Sequence, residues 1–142
     1  MRTVKQLLQG KAHGLCTIGP DARVFDALKL MAEKDVGALL VVDNDKLVGI
    51  LSERDYARKV ILHGKSSQDT PVREIMTERV VCVQPSRTTD ECMALMTEKR
   101  IRHLPVIEND KLIGVLSIGD LVKETISDQQ FMIKQLESYI HS

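Results

Sequence analysis

The chain is 142 residues long, 43% hydrophobic and 28% charged, with 20 basic and 20 acidic side chains and so a formal net charge of zero. These are the proportions of a soluble globular protein, and the charge balance removes any general attraction to nucleic acid or an anionic membrane. An aromatic content of 3%, with no Trp, is too sparse for base-stacking platforms.

The first segment, Val4-Lys5-Gln6-Leu7-Leu8, is a short leader, and nothing around it has the apolar run of a signal peptide. A first strand is expected near Thr17-Ile18, followed by the breaker Pro20-Asp21. Val24, Ala27, Leu28, Met31 and Ala32 then recur at helical spacing. Ala38-Leu39-Leu40-Val41-Val42 is a continuous apolar run of strand length, which implies burial on both faces. Asp43-Asn44-Asp45-Lys46 supplies residues that tolerate the left-handed backbone of a tight hairpin, and Leu47-Val48-Gly49-Ile50-Leu51 returns as a second strand. Ser52 opens a helix through Tyr56, Val60, Ile61 and Leu62 that ends near Gly64. A polar segment with Gly64 and Pro71 links it to the second half of the chain.

That second half repeats the pattern of the first. With a shift of 65 residues, positions 16–55 fall on 81–120 without a gap. Pro20 meets Pro85, Leu30-Met31 meets Leu95-Met96, and Asn44-Asp45-Lys46-Leu47 meets Asn109-Asp110-Lys111-Leu112. Gly49, Leu51-Ser52 and Asp55 meet Gly114, Leu116-Ser117 and Asp120. Cys92, Met93, Met96 and Thr97 repeat the helical spacing. The leader recurs as Val72-Arg73-Glu74-Ile75-Met76 at an offset of 68, so three extra residues in the first copy fall within 11–15. Each repeat therefore reads strand–helix–strand–strand–helix, an α/β (α+β) unit of βαββα order. Two copies are too few for a solenoid, and a closed pair related by a pseudo-twofold is the simpler packing. The expected division is a first repeat with its leader at 1–64, a linker at 65–71, a second repeat at 72–126 and a C-terminal helix at 127–142. On that last helix Met132, Leu136 and Ile140 form one apolar stripe flanked by Phe131 and Tyr139, suited either to packing on the protein's own body or to a dimer contact.

Both repeats place a Ser and an Asp three residues apart where a strand hands over to a helix: Ser52 and Asp55, Ser117 and Asp120. Read structurally, Ser-x-x-Asp is a capping box. Read functionally, the same carboxylate can accept two hydrogen bonds from vicinal hydroxyls of a ribose, beside a helix N-terminus that favours anions. The upstream Gly49 and Gly114 would let a ligand approach the backbone. The copies differ around this element. Arg54 answers to Gly119, and Arg102-His103 to Gly37-Ala38; these cations are either solvated surface charges or a phosphate-binding group. Arg102 and His103 share a repeat with Asp120, which is the expected tighter site, while Arg54 shares one with Asp55 and argues for that copy as the better phosphate site. There is no Gly-x-Gly-x-x-Gly, no Walker loop and no His-Glu-x-x-His, and His13, His63, His103 and His141 lack metal-ligand spacing.

Gly-hydrophobe-hydrophobe-Ser-x-x-Asp, placed after an apolar hairpin and repeated in one short chain, resembles the cystathionine-β-synthase (CBS) repeat over about residues 2–126. The resemblance implies a disc-shaped pair with two clefts between the repeats, of the kind that bind AMP, ADP, ATP, NAD(H) or S-adenosyl ligands. It implies ribose contacts from Asp55 and Asp120, and phosphate or ribose contacts from Ser52 and Ser117. An adenine slot would be lined near Thr17-Ile18 and Cys82-Val83, with Arg54, Arg102 and His103 on phosphates. Leu40, where the second copy has Pro105, departs from the family pattern and sets the two clefts apart. The implied function is a non-catalytic regulatory module, homodimeric, that signals through an effector protein or self-association. The alternative is a ligand-independent dimerisation unit with degenerate clefts. No catalytic cofactor, metal, nucleic acid or membrane partner is expected. The cysteines Cys16, Cys82 and Cys92, odd in number and without a Cys-x-x-Cys pair, suit a reducing compartment such as the cytoplasm.

Overall fold

A computed structural model describes residues 2–10 and 15–141, without the side chain of His141. His13 and most of the three-residue insertion expected at 11–15 lie outside the described residues. The elements run in the order α1 (Val4–Gln9), β1 (Thr17–Ile18), α2 (Val24–Lys34), β2 (Ala38–Asp43), β3 (Lys46–Ser52), α3 (Glu53–Tyr56), α4 (Thr89–Lys99), β4 (His103–Glu108), β5 (Lys111–Ser117) and α5 (Ile118–His141). A π-helical turn, Ala57–Ile61, extends α3, and a 3-10 turn, Val72–Glu74, stands where α1 stands in the first copy.

The two hairpins are copies down to their registers. Leu39 pairs with Leu51 and Val41 with Gly49; Leu104 pairs with Leu116 and Val106 with Gly114. Each carries a bulge one residue later, between Val41 and Val42 and between Val106 and Ile107. At the tips Asn44 and Asp45 take φ of 51° and 64°, and Asn109 and Asp110 take 51° and 62°, the two-residue turn that Asn and Asp tolerate. Leu39, Leu40 and Val41 are all buried, as their continuous apolar run requires.

One strand differs between the copies. β1 runs parallel to β2, and Leu40 N–H donates to the Cys16 carbonyl. In the second copy Pro105 stands where Leu40 does and has no N–H to give the Val81 carbonyl. Pairing there shrinks to a bridge between Val83 and Val106. The expected first strand of the second repeat is thus reduced to one bridge by the loss of a single donor.

Two hydrophobic cores result. Val24, Ala27, Met31, Leu39, Val41, Leu51 and Val60 form one, and Val83, Cys92, Met96, Leu104, Val106, Leu116 and Leu121 form the other. The leaders cross over between them. Val4, with Leu7 and Leu8 beside it, belongs to the second core, while Val72 and Ile75 belong to the first. Backbone bonds hold the exchange: Val4 N–H to Arg87 O and Lys5 N–H to Pro85 O on one side, Val72 N–H to Ala22 O and Arg73 N–H to Pro20 O on the other. The space above each strand glycine is filled by the crossing leader. A Cβ at Gly49 would lie 2.7 Å from Met76 Sδ, and one at Gly114 2.7 Å from Leu8 Cδ2. These glycines therefore admit protein side chains, not the close ligand approach expected from the sequence.

Candidate functional site between the repeats

The hairpins meet through β3 and β5, and the leader of the second repeat runs along β3, where Ile50 and Thr77 exchange backbone hydrogen bonds of 3.0 and 2.9 Å. This leaves a cleft of about 310 Å³, a volume within the usual range of small-ligand sites. Ser52, Arg54 and Asp55 line it from the first repeat, Arg102 and His103 from the second. Sequence order had grouped Arg102 and His103 with Asp120; the fold brings them to Asp55 instead. The reason is topological: the start of β4 in one repeat lies across from the start of α3 in the other. A larger hollow of about 460 Å³ near Thr3, Lys5 and the β4–β5 tip contains neither Ser-x-x-Asp element.

Both Ser-x-x-Asp elements are capping boxes. Asp55 N–H donates to Ser52 Oγ at 3.2 Å, and Asp55 Oδ2 accepts from Ser52 N–H at 2.9 Å and from Ser52 O–H at 3.0 Å. Asp120 N–H donates to Ser117 Oγ at 3.2 Å, and Ser117 N–H donates to Asp120 Oδ2 at 2.8 Å. Asp55 has further partners at its outer oxygen. Oδ1 accepts from Thr77 Oγ1 at 3.3 Å and faces Lys59 Nζ at 3.3 Å, while Lys59 also donates to Ile75 O at 3.0 Å. The carboxylate is thus tied on one side to its own helix and on the other, by longer contacts, to the crossing leader.

The remaining expected residues sit elsewhere. Ser117 and Asp120, at the start of α5, do not line this cleft. Exposed Thr17 and half-buried Ile18 form β1, and Val83 is buried in the second core. The apolar wall of the cleft comes instead from Val80 and Val81, two residues ahead of the expected Cys82-Val83. Cys82 lies next to it; burial pushes its thiol up from the ordinary value, and Sγ donates weakly to Val80 O at 3.8 Å. Sequence reasoning missed Arg58, Thr77, Arg79 and Arg100, which also line the cleft. No local motif marks them: the crossing leader delivers Thr77 and Arg79, the end of α4 delivers Arg100, and Arg58 reaches the cleft from the π turn that extends α3.

The CBS domain family profile matches residues 12–62 and 72–127, one match per repeat. This chain belongs to the CBS-domain family. A CBS-domain structure from Burkholderia ambifaria MC40-6, described as a candidate signal-transduction protein, is 58% identical, covers 90% of this chain and 96% of that one, and superposes with a TM-score of 0.87. The mitochondrial CBS domain-containing protein CBSX3 of Arabidopsis thaliana is 43% identical over 125 residues, 84% of this chain. The chain spans 61% of that relative's length. The CBS pair of MJ0100, solved with 5′-methylthioadenosine and S-adenosyl-L-methionine, shares the fold at 23% identity with a TM-score of 0.80, covering 90% of this chain and 98% of that one. Among the described residues no helix is long and apolar enough to cross a membrane.

Proposed function

We propose that this CBS pair is a non-catalytic regulatory module that binds an adenine nucleotide (AMP, ADP, ATP or NAD(H)) in the Ser52–Asp55 cleft. The observation that carries the reading is the meeting of Ser52, Asp55 and Arg54 with Arg102 and His103 around one cavity. Ribose hydroxyls would take the place of the two 3.3 Å contacts on Asp55 Oδ1, leaving the shorter capping bonds intact. The Val81 carbonyl, which Pro105 cannot serve, offers an acceptor to an adenine edge, and the side chains of Val80 and Val81 offer it an apolar wall. The adenosyl ligands of the MJ0100 pair are consistent with such a site. Binding would release Lys59 and Thr77 from Asp55 and so loosen the crossing leader. Signal output then passes to an effector protein or to self-association as a homodimer. The three cysteines, none in a disulfide, accord with a reducing compartment such as the cytoplasm.

The completed capping boxes favour a second reading, a dimerisation unit that needs no ligand. A titration of AMP, ADP, ATP and NAD(H) into wild type and Asp55→Asn separates the two. Loss of charge-assisted hydrogen bonds to ribose should weaken binding roughly 10- to 150-fold. If no adenine compound binds or raises the melting temperature, the dimerisation reading takes its place.

A further inference from the structure

The arginines of this chain fall into two groups. Arg2, Arg23, Arg73 and Arg87 each face a carboxylate, of Glu124, Asp26, Asp21 and Glu91 respectively. The others, Arg54, Arg58, Arg79, Arg100 and Arg102, all line the Ser52–Asp55 cleft, and among the described residues none of these five forms an ion pair. They come from three separate stretches of chain: α3 with its π turn, the end of the second leader, and the short connection from the C-terminus of α4 to β4. Arg100 is held there by the backbone itself. It ends α4 in the left-handed region at φ 56°, a conformation that disfavours a side chain with a Cβ.

The carboxylates lining the same cleft are Glu53 and Asp55, and Asp55 is already faced by Lys59. Positive charge therefore exceeds negative charge in a concave site, where walls of low dielectric focus the field. The 65-residue shift shows how local this is. Arg54, Arg100 and Arg102 answer to Gly119, Asp35 and Gly37 in the other copy, and Glu53 answers to Ile118.

We infer that the Ser52–Asp55 cleft selects a nucleoside polyphosphate, with at least two phosphates in series, and that the Ser117–Asp120 side of the module does not. The inference rests on the cleft being the nucleotide site proposed above and adds its ligand class. One phosphate monoester carries about −1.5 to −2 and presents one set of oxygens, too few for five forked donors supplied by three stretches of chain. A chain of phosphates lets several guanidiniums bind two oxygens each. A sulfonium ligand brings a positive charge into the same field and is disfavoured.

The test is calorimetric titration in magnesium-free buffer with adenosine, AMP, ADP, ATP, S-adenosylmethionine and inorganic tripolyphosphate. The proteins are wild type and the double variant Arg100→Asp, Arg102→Gly. That variant installs the residues the first repeat carries at equivalent positions, and Asp35 already adopts φ 53° there, so the backbone accommodates it; an unchanged melting temperature checks this. The expected result is one polyphosphate site per chain, with affinity rising tenfold or more from AMP to ATP. In the variant ATP affinity should fall on the order of tenfold or more while adenosine affinity stays unchanged. Raising the salt should weaken ATP more than adenosine. Equal affinities for AMP, ADP and ATP, or a variant that binds ATP as wild type does, overturn the inference while leaving the nucleotide reading in place. Tripolyphosphate binding without adenosine or nucleotide preference would uphold the polyphosphate site and sink the nucleoside reading. Binding of neither tripolyphosphate nor ATP overturns the inference.

Discussion

A carboxylate has about four lone-pair positions, and Asp55 uses them unevenly. Two serve the cap of α3 at 2.9 and 3.0 Å, and two serve Thr77 and Lys59 at 3.3 Å. Capping and ligand binding are thus assigned to different oxygens of one side chain, and the two readings of Ser-x-x-Asp are compatible. Gly49 is constrained by its neighbours rather than by its own dihedrals. An added Cβ would meet the Met76 side chain at 2.7 Å and also the Thr77 carbonyl at 3.0 Å, a backbone atom that cannot swing away. Gly49→Ala should therefore cost about 1–3 kcal/mol, measured by denaturant unfolding. Gly114→Ala, which meets only the flexible end of Leu8, should cost less. On the surface, Arg87 donates to Glu91 and, with Thr88, holds that carboxyl below its ordinary value. A depressed carboxyl contributes stability above its unfolded pKa and loses that contribution as pH falls through the folded one. The melting-temperature gap between wild type and Glu91→Gln should accordingly close on acidification through the carboxylate range, and a gap independent of pH would refute the linkage.

At the scale of elements, α5 stands apart. The expected helix at 127–142 is the continuation of one helix from Ile118 to His141. Its beginning is anchored by buried Leu121 and by Thr125, whose hydroxyl approaches Met93. Beyond that the apolar side chains face outward: Met132 is 63% exposed, Leu136 59% and Ile140 74%. Packing on the protein's own body is not what this stripe does, which leaves the dimer contact as the reading to test. Truncation after Ser127 should lower the dimer fraction seen by light scattering and leave the melting temperature of the protomer nearly unchanged. An unchanged mass with a lower melting temperature would defeat that assignment. Elements also explain the asymmetry of the sheets, since Pro105 in place of Leu40 removes one ladder donor and with it a strand.

For the whole molecule, the decisive feature is the exchange of leaders. Neither core is complete without residues from the other half of the chain: Val4 closes the second, Val72 and Ile75 the first. The two repeats should therefore unfold in one cooperative transition, with coincident curves by different probes. Val4→Ala should lower stability by on the order of 1–3 kcal/mol. In native-state hydrogen exchange its first effect should fall on β4 and β5, although Val4 is closer in sequence to β2 and β3. Loss of protection confined to β2 and β3 would contradict the exchange.

Much of this protein is legible in its sequence because it is local. The 65-residue repeat, the Asn-Asp hairpin tips, the doubly buried run at Leu39-Leu40-Val41 and the Ser-x-x-Asp elements depend on backbone preferences and periodicity within a few residues. A self-similar chain, however, carries no mark saying which copy of a leader covers which core, since Val4 and Val72 offer nearly the same apolar face to two nearly identical surfaces. Only tertiary packing decided that they cross, and the same crossing brought Thr77 and Arg79 to the first repeat's Ser52 and Asp55. The site is assembled from side chains tens of residues apart in sequence, and its charge arises from their convergence rather than from any run of basic residues.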